Sequence, residues 1–501
     1  MGVIARQSIK GAIANYIGVA IGFFVQFFVL TKYLTQEEIG LTRVMVDMAT
    51  LFSVVAALGS TSSVVRFFPY FKDDKNNHGV FGLSVLLPLV GFSLFSIAFL
   101  LFREPLLAAY EDKSPLLSGY LYMVPMLTFF ALYTTVFETN ASVLMRITVP
   151  KLVREVGIRV FTLACYLLLG FRVIELTTFV WLFCGSYGLA MVLNLMYLLS
   201  LGHISFKLDR GFLDGKKMKE IGRYTLFMSV AVLAGNIPFL NSLFLGAKAN
   251  LALTGIFSVA SNIANVVDVP YRSLGAISRP VIATAVKEEQ WDEVNRLGRQ
   301  VSLHQLMVSL LILFVIWINI DALYSIIPNG VHYKEGVGVV LLLGLTKVVL
   351  SSFSVGTDVL NFSRLYWWSL LFTAVLTAAA ITFNNLLIPE MGINGAASAT
   401  LCAYVLYFAL LLTHLWRRLR VRVFSSGQLK MVAVIGAGLL LNVAWQRWLL
   451  PSAGWGVLVD AGLKTVVLGG IVVAATYFWK ISPTVCKMID IRKMNNKNHV
   501  R

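Results

Sequence analysis

Between Gly11 and Thr31 the chain carries no charged side chain, and runs of similar length and character recur along its 501 residues. About 20 apolar residues suffice to cross the hydrocarbon of a bilayer as a helix. Inside lipid only an α-helix or a closed barrel satisfies the backbone, and barrel strands alternate polar and apolar residues. These runs do not alternate, so helices are expected. Hydrophobic residues form 58% of the chain and charged residues 13%. Soluble proteins average about 45–50% and about 25%. A water-soluble globule, a disordered chain, a collagen and a disulfide scaffold are excluded on those grounds.

The runs predict about fourteen transmembrane helices, near residues 9–31, 42–66, 80–102, 116–138, 153–171, 177–201, 221–246, 252–277, 302–327, 336–361, 365–388, 392–416, 430–450 and 456–479. With the N-terminus in the cytoplasm, the inner loops collect most of the 42 lysines and arginines and the outer loops few. Both termini are therefore predicted to be cytoplasmic. The net charge of +17 then follows from topology, and no nucleic-acid partner is expected. A signal peptide is not expected either, because the first run is too long and no A-x-A site follows it. The outer loops are short. The longest polar stretches, 203–220 and 282–300, face inward, and KEEQWDEVNRLGRQ (287–300) reads as a short amphipathic surface helix.

The linker at 206–220 divides the spans six and eight, which gives two copies of the same orientation. IGLTRVMVDMATLFSVV (39–55) echoes LALTGIFSVASNIANVV (251–267). Together they suggest parallel repeats related by an axis along the membrane normal. The expected organisation is a six-helix lobe over 1–205, the linker 206–220, a second six-helix lobe over 221–425, two additional helices over 426–480, and a basic cytoplasmic tail over 481–501.

Several spans carry polar residues on one helical face: Lys347, Ser351, Ser354 and Asp358; Ser258, Asn262, Asn265, Asp268 and Arg272; Arg43, Asp47 and Thr50; Asn15, Gly18, Gly22 and Gln26; Thr225, Ser229 and Asn236. In lipid such a face turns to protein or to water. Lys347 lies deepest, where a charge costs about 2.5–3.5 kcal/mol. It reads either as a cation that meets an anionic headgroup or as a buried lysine paired with a structural carboxylate. Asp47, Asp268 and Asp358 are candidates for binding a coupling proton or sodium ion, although Asp47 also stands one turn from Arg43. Asp460 and Lys464 read as a structural (i, i+4) pair. Arg66, Arg272 and Arg279, near cytoplasmic ends, read first as interface anchors. Gly18 and Gly22 form a GxxxG that favours close helix packing.

The four cysteines form no CxxC pair and the six histidines lie far apart, so no metal site is expected. The chain has no GxxxxGK[ST], no G-x-S-x-G and no H-E-x-x-H. No enzymatic activity and no bound cofactor are expected, and any driving energy comes from an ion or substrate gradient.

The opening SIKGAIANYIGVAIGFFVQFFVLTKYLTQEEIGLTRV (8–44), the segment LGSTSSVVRFFPYF (58–71) and TGIFSVASNIANVVDVPYRSLGAISRPVIA (254–283) resemble the polysaccharide-synthesis (O-antigen, lipid-linked oligosaccharide) flippases of the multidrug/oligosaccharidyl-lipid/polysaccharide exporter superfamily. The resemblance implies two parallel six-helix lobes in a V, with a cavity that opens alternately to each side of a bacterial inner membrane. It implies an undecaprenyl-diphosphate-linked oligosaccharide as substrate, amid membrane lipids, with glycosyltransferases and a polymerase of the same pathway as partners. On it, Lys347, Arg43 and Arg272 would offset the diphosphate. Asn15, Gln26, Asn236, Asn262 and Asn265 would hydrogen-bond sugar hydroxyls, since amides both donate and accept. In the lipid II branch the last two spans form a groove for the lipid tail and the first span carries arginines. Here the first span has none, which speaks against a peptidoglycan role. A cation-coupled multidrug exporter of the same fold is the first alternative, and a membrane-embedded glycan polymerase or acyltransferase the second.

Overall fold

The computed structural model describes residues 17–71, 77–202, 219–225, 228–229, 237–448 and 456–481. Asn15, Asn236, residues 206–218 of the linker, residues 482–501 of the tail and the side chain of Arg272 lie outside the described residues. Among the described residues every regular element is helical and no strand occurs.

Among the described residues ten helices are long and apolar enough to cross a membrane. In chain order the elements are α1 (Ile17–Tyr33), α2 (Gln36–Ala56), α3 (Ser60–Phe71), α4 (Val80–Leu101), α5 (Arg103–Glu111), α6 (Pro115–Val143), α7 (148–170) and α8 (Leu176–Ser200). They continue with α9 (219–225), α10 (Ile237–Lys248), α11 (Leu251–Asn265), α12 (Val269–Lys287), α13 (Trp291–Ile318) and α14 (Ile320–Ile326). The last are α15 (Val337–Phe362), α16 (Trp367–Leu419), α17 (Ser426–Trp448) and α18 (Val457–Phe478).

Local sequence sets the ends of these elements. A capping box opens α2: the Glu38 amide donates to Thr35 Oγ1 at 3.2 Å, and the Thr35 amide donates to Glu38 Oε2 at 2.8 Å. That satisfies two backbone donors which α2 itself leaves without partners. Leu58 and Gly59 then turn left-handed, with φ of 48° and 69°, and separate α2 from α3. The 53 residues of α16 are two helices in fact, because Gly392 has φ 56° and ψ −128° just after Pro389. A side chain at Gly392 would strain that backbone.

The chain falls into two compact units, Met1–Val259 with Ile388–Ile393, and Ala260–Leu387 with Asn394–Arg501. In the first, α2 packs on α4, α6 and α10. It also meets the first turns of α11: a Cβ at Gly40 would fall on the Leu251 carbonyl oxygen, and one at Gly255 on that of Gln36. The two segments whose sequences echo one another thus touch backbone to backbone, which only glycine permits. Below them α5 docks on α10. Tyr110 donates to the Leu243 carbonyl at 3.1 Å and Ser114 to that of Gly246 at 2.6 Å. Burial pushes the Tyr110 phenol well above its usual range, so it remains a donor.

In the second unit α13 is central and packs on α12, α15 and α17. One expectation is corrected here. Residues 287–300 do not form a separate surface helix. Glu288–Gln290 make a turn, with Glu289 at φ 56°, and Trp291 starts the 28-residue α13. No breaker separates Trp291 from the apolar run, and Asp292 and Glu293 complement the positive end of the helix dipole. The polar start is tied down by Asn295, whose Oδ1 accepts the Arg422 amide at 2.7 Å.

α17 is tied to α18 at a buried charge pair internal to α18. Lys464 Nζ lies 2.7 Å from Asp460 Oδ2, and Trp445 Nε1 donates to Asp460 Oδ1 at 2.9 Å. Both ions are more than nine-tenths buried, as the (i, i+4) spacing suggested. Removing one partner strands the other charge, which costs about 3–5 kcal/mol in a buried pair. Lys464→Met should therefore lower the melting temperature of the purified protein sharply, and Asp460→Asn/Lys464→Met should recover most of the loss. Equal melting of the single and double variants would contradict a coupled pair.

Candidate functional site

Each unit holds its own polar centre, and each centre is built of charges in pairs. In the first unit Arg43 Nε donates to Asp47 Oδ2 at 2.6 Å, one turn along α2, and Ser242 on α10 donates to the same oxygen at 2.5 Å. Asp47 is 2% exposed. Arg43 keeps 29% of its side chain accessible and makes no other hydrogen bond among the described residues. A carboxylate at this depth needs such donors, because an uncompensated charge costs several kcal/mol in lipid.

A second pair in this unit lies on α7. Arg159 Nη2 is 3.1 Å from Glu155 Oε2, and Arg159 Nη1 donates to the Gly18 carbonyl of α1. Gly18 and Gly22 explain the approach: a Cβ at Gly18 would lie 2.5 Å from the Glu155 carbonyl oxygen, and one at Gly22 would lie 2.5 Å from Arg159 Nη1. The GxxxG of α1 therefore receives the matching (i, i+4) positions 155 and 159 of α7. Both helices contain a π-helical stretch, Val25–Leu30 and Val153–Gly157. Such stretches leave the regular bonding pattern and often mark functional positions. Gln26 sits in the first of them, half-buried, with a buried Nε2 that has no hydrogen-bond partner. On α8, Tyr187 lies within electrostatic reach of Asp47, Arg43 and Arg159.

The second unit holds Lys347 of α15, whose Nζ is 4.0 Å from Asp268 Oδ2. Asp268 closes a 3-10 turn, Val266–Asp268, at the joint between α11 and α12. The cation and one of the carboxylates singled out from sequence are thus partners. Asp358, three turns along α15 from Lys347, pairs with Arg279 of α12 at 3.3 Å, and Arg279 Nη2 donates to the Tyr271 hydroxyl at 2.7 Å. Tyr271 and Tyr407 lie within electrostatic reach of this pair, and Tyr404 lies within reach of Asp268.

The polar stripe of α15 does not line one surface. Its ends meet α11 and α12, but its middle turns to α13. Ser351 donates to Ser309 Oγ at 2.9 Å, and Ser354 approaches Gln305 Oε1 at 3.5 Å. Those serines act as helix-to-helix contacts. On α11, Asn262 is half-buried and Asn265 exposed, and neither has a hydrogen-bond partner among the described residues. Arg272 has its backbone on α12.

Three participants escaped the sequence reading. Arg159 went unremarked inside the span expected over 153–171; α7 extends from residue 148 to 170 and places it eleven residues from either end. Its signal was the match between the Gly18/Gly22 and Glu155/Arg159 spacings. Ser242 gave no signal beyond its place near Pro238. Arg279 was read as an anchor, and its partner Asp358 lies 79 positions away.

The helical architecture and its buried ion pairs define a multi-pass helical membrane protein. The fold is similar to that of the lipid II flippase MurJ in an inward closed conformation, with TM-score 0.70 at 12% identity over 95% of this chain and 100% of that one. It is also similar to an inward-facing multidrug resistance MATE family transporter of the MOP superfamily, with TM-score 0.61 at 15% identity over 83% and 98% of the two chains. A MOP superfamily transporter from Pyrococcus furiosus gives TM-score 0.52 at 14% identity over 82% and 95%. No curated protein matches the sequence. Residues 8–286 match the family described as polysaccharide biosynthesis proteins, and the chain belongs to that family.

Ser242→Ala removes one donor from a buried carboxylate. A hydrogen bond to a charged group contributes about 1.5–3 kcal/mol, so the variant should melt measurably lower than Ser242→Thr. Unchanged melting would mean that Arg43 alone compensates Asp47.

Proposed function

We propose that this protein flips an undecaprenyl-diphosphate-linked oligosaccharide from the cytoplasmic to the outer leaflet of a bacterial inner membrane, by alternating access, for surface polysaccharide synthesis. The chain crosses the membrane fourteen times with both termini inside. Residues 1–205 and 221–425 form two parallel six-helix lobes in a V, 426–480 two further helices. The family match supports the pathway, and the fold similarity supports transport rather than catalysis.

The observation that carries the substrate class is the Lys347–Asp268 pair. Its 4.0 Å separation is longer than an optimised charge-assisted hydrogen bond of about 2.7–2.9 Å. An arriving diphosphate competes with Asp268 for the ammonium. Arg43 and Arg272 take part in offsetting the headgroup, and Asn15, Gln26, Asn236, Asn262 and Asn265 meet the sugar hydroxyls. Asp268, together with Asp47 and Asp358, is then placed to take up a coupling proton or sodium ion when a cation leaves it. The glycosyltransferases and polymerase of the same pathway make and use the lipid-linked glycan.

Lys347→Met/Asp268→Asn removes both charges together and strands neither. Cells carrying it should keep a normal protein level yet lose surface glycan and accumulate the lipid-linked intermediate. Lys347→Glu should behave the same way for glycan. Full glycan display from Lys347→Glu would contradict the assignment. Drug sensitivity without a glycan defect would move it to a multidrug exporter, and a change in glycan chain length alone to a polymerase.

A further inference from the structure

We infer that Arg279, Asp358, Tyr271 and Asn361 form a sugar-binding subsite in the second unit, which holds the hydroxyls of a neutral sugar set apart from the diphosphate. The inference rests on the flippase reading above and says where along the glycan that substrate is recognised.

Direct contacts build the subsite. Tyr271, Gly275 and Arg279 follow one another at steps of four along α12, so they share a face. The Arg279 guanidinium folds back over Gly275, where a Cβ would lie 3.7 Å from its Cζ. Its Nη2 donates to the Tyr271 hydroxyl at 2.7 Å, and its Cζ stands 5.6 Å from the centre of that ring. Its Nε lies 3.3 Å from the Asp358 carboxylate on α15. Asn361 follows Asp358 by three residues on α15 and is exposed. Next to Asp358, Thr357 shares a hydrogen bond of 3.3 Å with the Tyr407 hydroxyl of α16, which steadies the turn that carries the carboxylate.

The polar atoms that the cluster leaves unused point to the ligand. Arg279 Nη1 and the Asn361 amide have no hydrogen-bond partner among the described residues. The Tyr271 hydroxyl accepts from Arg279 and gives its own proton to no described acceptor, and Asp358 accepts from Arg279 alone. Donors and acceptors therefore stand side by side, and the charges of Arg279 and Asp358 cancel. A hydroxyl both donates and accepts, so neighbouring sugar hydroxyls match such a cluster. A phosphate offers acceptors only and is repelled by Asp358. The pair is also open on one side: Arg279 keeps 45% of its side chain accessible and Asp358 15%, against 8% and 10% for Lys464 and Asp460.

Position along α15 decides which sugar is met. Asp358 stands eleven residues from Lys347, roughly 16 Å at 1.5 Å per residue, a step that returns to nearly the same face. With the diphosphate at Lys347, that separation exceeds a single sugar ring, so the sugar at Arg279 is one further out on the glycan. Asp358 then has a duty besides the ion uptake proposed for it: while Arg279 holds it, it accepts from hydroxyls.

The test uses the full chain purified into lipid nanodiscs, with thermal melting as the control for folding. The probes are the lipid-linked glycan extracted from cells depleted of the protein, and the single-sugar lipid extracted from a strain that lacks the later glycosyltransferases. The intact protein should bind the full glycan lipid more tightly than the single-sugar lipid. Arg279→Gln/Asp358→Asn removes both charges and strands neither. It should reduce affinity for the full glycan lipid about tenfold, the loss of one charge-assisted contact, and leave single-sugar binding and melting nearly unchanged. Tyr271→Phe keeps the ring and should lose part of the same preference. A full preference retained in the double variant would overturn the subsite and leave the flippase reading standing. Equal binding of the two probes by the intact protein would do the same. Equal losses for both probes with lower melting would make the pair a packing contact and also overturn it. Binding of neither probe by the intact protein would refute the flippase reading itself, and the subsite with it.

Discussion

A full charge inside lipid must be neutralised by something the protein supplies, and this requirement organises the interior of the molecule. Arg43, Arg159, Arg279, Lys347 and Lys464 each stand beside a carboxylate. Three of the pairs are (i, i+4) pairs within one helix and are satisfied as soon as that helix forms. The other two, Lys347–Asp268 and Arg279–Asp358, join α15 to the α11–α12 joint and α12. The helix-internal pairs lower the cost of insertion, whereas the pairs between elements depend on how those elements are placed.

Glycine does complementary work. The Gly40–Gly255 crossing and the Gly18/Gly22 slot remove side chains where backbones or a guanidinium must approach. Without a hydrophobic drive between helices in lipid, such close approach is a principal source of association. The same device therefore packs α2 on α11 and directs Arg159 toward α1.

The helices were legible because hydropathy needs no tertiary information, and the Asp460–Lys464 pair because its spacing is local. The pairing of Lys347 with Asp268 was not legible: each residue was singled out alone, and nothing in a sequence states which stripes face each other. The serines of α15 turn to protein, one of the two outcomes that a polar face allows, and nothing in the sequence says which helix receives them. Arg159 was missed because hydropathy falls over Lys151, Arg154 and Glu155 and moved the span edge toward residue 153, while the backbone continues helical from Thr148. Residues 287–300 erred in the opposite direction: their polarity was read as a boundary where the helix runs on.

The central claim is that paired intramembrane cations exchange their carboxylates for the diphosphate of a lipid-linked glycan. Reconstitution into liposomes with a fluorescent lipid-diphosphate-linked sugar, followed by a membrane-impermeant quencher, tests it most directly. The account predicts protein-dependent movement of the probe between leaflets, abolished by Lys347→Met/Asp268→Asn. Movement at the full rate in that variant, or none with the intact protein, would contradict it.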